Sequence, residues 1–122
     1  MRVGIVGFGV VGKKRFQSIA NNTPYKISAI SECNELMHES IPADIKIFTD
    51  FKDLIDNAEI DIIFISLPNK FAAKAVTLSL KRGLHIFCEK PPARTLAELA
   101  AVKECADHFP HLKLMYGFNH RF

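Results

Sequence analysis

Three groups of residues in this chain have types and spacing suited to chemistry. Gly7-Phe8-Gly9-Val10-Val11-Gly12 sets glycines at the first, third and sixth places of a short loop. Where such a loop leaves a strand and opens a helix, the first glycine permits the tight turn. The second lets backbone approach a pyrophosphate, and the third lets helix and strand pack closely. The exposed N–H groups and the positive end of the helix dipole then face an anion. Glu32 stands 20 residues beyond Gly12, where a carboxylate can accept hydrogen bonds from the hydroxyls of an adenosine ribose. It would repel an added phosphate, and Cys33, Asn34, Glu35 and Leu36 bring no Arg or Lys behind it. This pattern favours NAD over NADP. The third group is Cys88-Glu89-Lys90-Pro91-Pro92. Pro91 restricts Lys90 to extended backbone, and the two prolines stiffen the segment. A lysine held there can donate to a hydroxyl or carbonyl and stabilise negative charge as a hydride moves. Adjacent residues on an extended chain point oppositely, so Glu89 and Lys90 are not expected to pair with each other.

The elements that must position these groups follow a strand-then-helix rhythm. Val3, Ile5 and Val6 form a first apolar run ending in the glycines. Val10 to Ala20 then reads as a helix with Phe16, Ile19 and Ala20 inward and Lys13, Lys14, Arg15, Gln17 and Ser18 mostly outward. The basic triplet is expected to be a solvated face. Lys26 to Ser31 and Ile45 to Phe48 read as strands. Asp50 is a plausible N-cap for a short helix through Leu54 and Ile55. Ile60-Asp61-Ile62-Ile63-Phe64-Ile65 is nearly continuous and β-branched, the mark of a strand buried on both faces. Asn69 to Arg82 is a helix stopped by Gly83, and Leu84 to Cys88 is another strand. Thr95-x-x-Glu98 is a capping box opening a helix with Leu96, Leu99, Val102 and Ala106 on one side, before a last strand at Leu112 to Tyr116. Six strands separated by helices predict an α/β fold, a doubly wound parallel sheet of Rossmann type in one dinucleotide-binding domain over residues 1–122.

Composition narrows the partners. A chain of 122 residues with 48% hydrophobic and 24% charged residues is a globular domain, not a disordered one. No apolar run reaches the ~18 residues a membrane span needs, and Met1-Arg2 followed at once by a short strand does not read as a secretory signal. A net charge of +3 without a dense basic stripe argues against nucleic acid as partner. Cys33, Cys88 and Cys105 are odd in number and form no C-x-x-C pair, which predicts reduced thiols in a cytoplasm and no metal site. Cys88 reads as a buried structural thiol, His85 as a packed or edge histidine, and His108 and His111 as parts of a surface turn. Among the histidines, His120 beside Arg121 has the best claim on a site. Phe118 and Phe122 are expected to be exposed.

The glycine loop, Ser66-Leu67-Pro68-Asn69, Glu89-Lys90-Pro91 and Tyr116-Gly117-Phe118-Asn119-His120-Arg121-Phe122 occur in one order. Together they resemble the N-terminal cofactor domain of the glucose–fructose oxidoreductase / inositol dehydrogenase (Gfo/Idh/MocA) family, over essentially the whole chain. That resemblance implies an NAD(P)-dependent enzyme acting on the hydroxyl–ketone pair of a sugar, nucleotide sugar or polyol. It places Lys90 near the nicotinamide and the reacting oxygen, runs Ser66, Leu67, Pro68 and Asn69 along the cofactor, and has Glu89 hold that region. It further implies a cis Lys90–Pro91 peptide and an Arg121 on the nicotinamide or substrate side, and it leaves room for a homo-oligomer. Two departures stand out. Leu67 replaces the usual Thr before Pro68, and Lys70-Phe71-Ala72-Ala73 lacks the family's histidine. The family's second, substrate-binding domain is also absent from these 122 residues, so the chain alone is expected to bind NAD weakly and turn over nothing. A different class of reading is a non-catalytic NAD-binding or interaction module. Lys90 in its Glu-Lys-Pro setting, which a nucleotide sensor would not need, separates the two.

Overall fold

The computed structural model describes residues 1–117. Six parallel strands form one sheet in the order β3-β2-β1-β4-β5-β6. They are β1 (Arg2–Val6), β2 (Lys26–Ser31), β3 (Lys46–Phe48), β4 (Ile62–Ile65), β5 (His85–Glu89) and β6 (Leu114–Gly117). The helices between them are α1 (Val10–Asn22), α2 (Phe51–Asn57), α3 (Asn69–Lys81) and α4 (Leu96–Asp107). The expected doubly wound α/β sheet is the one observed.

Each face of the sheet has its own core. On one, Val3, Ile5, Ile27 and Ile30 pack with Phe8 and with Ile19 of α1. On the other, Val6, Ala29, Ile63, Ile65, Ile86 and Cys88 meet Leu54 and Ile55 of α2, Ala72, Ala75, Val76 and Leu80 of α3, and Val102 of α4. Alternate residues of a strand point to opposite faces, which is why the central strands need apolar residues at nearly every position. Because β1 and β4 are neighbours while their following helices lie on opposite faces, a crevice opens where their carboxyl ends diverge.

The helix ends are set by local chemistry. Asp50 accepts from Lys52 N–H at 2.9 Å and Thr95 from Glu98 N–H at 3.1 Å, so both expected caps form. The Glu98 carboxylate reaches back to Arg94 N–H at 2.8 Å, one residue before the capping box would place it. After α3, Gly83 takes a φ of +84° and the N–H groups of Gly83 and Leu84 bond the carbonyls of Leu80 and Ser79, a Schellman ending.

Several boundaries differ from the sequence reading. Helix α1 runs on to Asn22, and Ala20 is exposed instead of inward. Strand β4 starts only at Ile62, because Ile60 N–H is turned to the Ala58 carbonyl. Leu112 N–H likewise bonds the Phe109 carbonyl, delaying β6 to Leu114. Leu96 is 85% exposed on α4 while Val102 is buried, so the first turn of that helix overhangs the core. An unanticipated 3₁₀ helix spans Glu35–Ser40, started by Asn34 accepting from Leu36 N–H at 3.1 Å. It carries the chain to Ile41, which is buried against the α1 face.

Candidate functional site

The three glycines of the loop have different surroundings. Gly7 has φ +89°, and a Cβ there would lie 2.2 Å from the Ser66 carbonyl oxygen. At Gly12 a Cβ would lie 1.9 Å from the Gly7 carbonyl oxygen. Gly9 meets nothing within 4 Å. The outer glycines are thus demanded by packing, and the middle one faces open space. Helix α1 begins on Gly9 with no side-chain cap and no acidic residue in its first turn, so its leading N–H groups and dipole are available to an anion. Val10 and Val11 at that end are exposed.

Glu32 follows β2 and ties the loop to it. Its Oε1 accepts from Phe8 N–H at 2.8 Å and its Oε2 from Asn34 N–H at 2.9 Å. Phe8 is in turn buried, edge-on to Phe16 with ring centroids 5.9 Å apart. The carboxylate is therefore held chiefly by backbone donors, with the Cys33 thiol at 3.8 Å from Oε2 as a weaker third. A cleft of about 860 Å³ opens here, lined by Gly7 and Gly9, by Ser31, Glu32 and Cys33, and by Ser66, Leu67 and Pro68. Asn69, exposed, opens α3 beside it. The Ser66 hydroxyl oxygen is buried without a hydrogen-bond partner among the described residues. Phe51 and Phe71, 6.1 Å apart, line the far wall together with Lys52, Lys70 and Lys74. Sequence reading missed these three lysines; the spacing of Lys70 and Lys74, four apart on one helix face, was the available signal.

The carboxyl end of β5 is built differently. Glu89, with its side chain 13% exposed, is ion-paired with Arg15 of α1. The guanidinium engages it through both Nε and Nη2, the latter 3.1 Å from Oε1. Arg15 also lies 4.9 Å over the Phe87 ring, which stacks on Phe64. Hydrogen bonding to Glu89 raises the Arg15 pKa above its ordinary value. Arg15 is thus no part of a solvated face, contrary to the sequence reading; Lys14 is exposed as expected, and Lys13 lies half-buried over Phe8. Lys90 is exposed, has no ion pair or hydrogen bond among the described residues, and stands outside the cleft lining. The Lys90–Pro91 peptide is cis. Arg121, His120, Phe118 and Phe122 lie outside the described residues.

The thiol of Cys88 is buried and pushed up to about 12, first by desolvation and then by the Glu89 charge. Burial chiefly pushes Tyr116 up to about 12 as well. His85 accepts from Lys113 N–H at 3.1 Å, an edge role. Among the described residues no group of three or more His, Cys, Asp or Glu could hold a metal, and no helix is long and apolar enough to cross a membrane. A dinucleotide fits what is present: an uncapped helix start, a middle glycine open to the cleft, a carboxylate on its rim and a buried hydroxyl lacking a partner.

Comparison with known proteins agrees with this geometry. The family model described as the Gfo/Idh/MocA "Oxidoreductase family, NAD-binding Rossmann fold" matches residues 1–118. The uncharacterized oxidoreductase YrbE of Bacillus subtilis is 35% identical, over 98% of this chain and 36% of its own length. D-xylose 1-dehydrogenase (NADP(+)) 2 of Haloferax volcanii is 30% identical, over 100% of this chain and 38% of its own. The crystal structure of scyllo-inositol dehydrogenase from Lactobacillus casei with bound NAD(H) and scyllo-inositol superposes with a TM-score of 0.87 at 28% identity. That match covers 96% of this chain and 36% of the dehydrogenase. The chain spans little more than a third of the length of these relatives.

Proposed function

The chain belongs to the Gfo/Idh/MocA oxidoreductase family, and from that premise we propose that it is the NAD-binding part of a longer cytoplasmic enzyme. That enzyme moves hydride to or from a hydroxyl–ketone pair on a sugar, nucleotide sugar or polyol. The substrate class is supported by the inositol and xylose dehydrogenases it resembles. The bound dinucleotide supplies the hydride chemistry; the protein supplies binding, orientation and charge.

In this reading the start of α1 and the backbone of Gly7, Phe8, Gly9, Val10, Val11 and Gly12 hold a diphosphate. Glu32 accepts from the adenosine ribose with lone pairs its two backbone bonds leave over, which favours NAD. Ser66, Leu67, Pro68 and Asn69 run along the cofactor, with the Ser66 hydroxyl donating to it. Lys90 is the catalytic residue, donating to the reacting oxygen. Arg15 neutralises Glu89, and the neighbouring Lys90 ammonium, without an ion pair among the described residues, is available for that work. Arg121 completes the nicotinamide or substrate side. The remaining walls of the substrate pocket come from outside these 122 residues.

The observation that carries the proposal is Glu32, fixed by the Phe8 N–H of the glycine loop and the Asn34 N–H on the rim of an 860 Å³ cleft. Calorimetry of the chain with NAD tests it. Binding with a Kd on the order of 0.1–1 mM is expected, with no hydride transfer from any polyol. Absence of binding to NAD and NADP alike would leave only the fold.

A further inference from the structure

Of Lys13, Lys14 and Arg15, only Arg15 makes an ion pair among the described residues, and its partner Glu89 directly precedes Lys90. Both Nε and Nη2 of the guanidinium reach the carboxylate, so the contact sets the orientation of Glu89 as well as balancing its charge. Beside the pair, the Phe87 ring lies 4.9 Å from the guanidinium and stacks on Phe64, with centroids 5.3 Å apart. Strand β6 closes the other side. Gly117 stands opposite Glu89 in the sheet, and a Cβ there would lie 2.6 Å from Phe87 Cζ and 3.2 Å from Glu89 Oε1. Elements α1, β5 and β6 together build a slot that holds one carboxylate in one place.

Stability alone does not call for such a slot, since apolar residues of similar volume often serve as well as a largely buried ion pair. What the pair supplies is a fixed residue immediately before Lys90. A lysine is a point charge on a flexible four-carbon stem, and Lys90 has no ion pair among the described residues to hold its ammonium. Its backbone is therefore what the protein can place. On one side Pro91 confines Lys90 to extended backbone. On the other, the Arg15 fork anchors Glu89. Such supports decide how closely a reacting group keeps its geometry. Helix α1, which carries Arg15, also starts at the glycine loop, so one rigid element bears on both the loop and the lysine.

We propose that Arg15 is a positioning residue for Lys90, acting through Glu89, and that Gly117 keeps the slot open for the pair. The inference rests on the reading of Lys90 as donor to the reacting oxygen and deepens it by naming what holds that lysine in place.

Backbone ¹⁵N relaxation of the 122-residue chain tests it, with Arg15→Gln, Arg15→Lys and Gly117→Ala beside the native sequence. In the native chain Lys90 should have an order parameter of about 0.85, equal to that of Val3 to Val6 in β1. In Arg15→Gln it should fall to about 0.6 or below at Lys90 while β1 keeps its native values. Arg15→Lys should fall between the two, because an ammonium cannot make the two-pronged contact. Gly117→Ala, which displaces Phe87 and crowds Glu89 from β6, should loosen Lys90 with Arg15 still present, and it decides the matter if Arg15→Gln does not fold. A melting midpoint that drops in Arg15→Gln while Lys90 keeps its native order would make the pair merely structural and overturn the proposal. So would unchanged order at Lys90 in Gly117→Ala. The reading of Lys90 itself is checked on the native chain by titrating NAD and ADP-ribose. The Lys90 amide signal should shift with NAD and not with ADP-ribose, which lacks the nicotinamide. Equal response to the two removes Lys90 from the nicotinamide and overturns that reading, a failure distinct from an ordered Lys90 without Arg15.

Discussion

Two glutamates stand at the carboxyl edge of the sheet, and the fold treats them oppositely. Glu32, after β2, is held by the N–H groups of Phe8 and Asn34 on the rim of an open cleft. Glu89, closing β5, is gripped by the Arg15 guanidinium, which is itself laid over Phe87. Backbone amides fix a carboxylate without cancelling its charge, so Glu32 remains an acceptor for a ligand. An arginine fork cancels the charge and turns Glu89 into a strut. Lys90, pointing the other way along the extended chain, has no ion pair or hydrogen bond within the described residues.

The largest effect expected from breaking this comparison comes at the glycine loop, since Glu32 is placed by backbone. Gly12→Ala forces a Cβ to 1.9 Å from the Gly7 carbonyl oxygen. We expect a stability loss of about 3 kcal/mol, a midpoint lower by ~10 °C or more, and NAD affinity reduced at least 100-fold. Gly9→Ala is the control, because its Cβ meets nothing. Its melting midpoint should stay within ~2 °C of the native chain, while NAD titration shows weaker binding. Equal loss of stability in both variants would remove the distinction between packing and ligand glycines.

Next in size is Glu32→Gln. An amide offers one acceptor oxygen in place of two, so one of the Phe8 and Asn34 N–H groups loses its partner. A cost of about 1 kcal/mol in denaturant unfolding and a roughly tenfold weaker NAD affinity are expected. Unchanged NAD affinity would take Glu32 out of the binding site.

Arg15→Gln should do the reverse: lower stability with little effect on binding. It leaves the largely buried Glu89 without its cation, at a cost of about 1–2 kcal/mol. NAD affinity should stay within threefold. Arg15→Lys recovers only part of the loss, since an ammonium cannot make the two-pronged contact. If Arg15→Gln weakened NAD as much as Glu32→Gln did, the two carboxylates would not be doing different jobs.

How much of this was legible in the sequence follows from the range of each interaction. The glycine loop, Glu32, the capping residues Asp50 and Thr95 and the stop at Gly83 act within a few residues, and their spacing carries the signal. The parallel sheet follows from strands buried on both faces. Arg15 was misread as part of a solvated triplet because its partner lies 74 residues away, beyond any local pattern. Lys52, Lys70 and Lys74 come together only once α2 and α3 are packed on the same face as their strands. The 3₁₀ helix at Glu35–Ser40 has no apolar periodicity of its own and is defined by the Asn34 cap. Strands β4 and β6 begin late because turn hydrogen bonds at Ile60 and Leu112 win over β-propensity there.

The smallest predicted effect sharpens the comparison through pH. Behind Glu89, Cys88 is buried with its thiol pushed from an ordinary 9.0 to about 12, and Tyr116 is raised from 10.0 to about 12. Both groups are neutral in the folded state and ionise more readily once unfolded. The stability they contribute is complete below pH 9 and is lost progressively as pH rises toward 12. The thermal midpoint should therefore fall by ~5 °C between pH 8 and pH 10.5. Cys88→Ala should flatten that slope. Tyr116→Phe should flatten it less and cost nothing at neutral pH, because the buried hydroxyl it removes has no hydrogen-bond partner among the described residues. An alkaline slope that survives both substitutions would place the sensitive groups elsewhere, and the β5 end would lose its claim to be the drier, more tightly closed of the two.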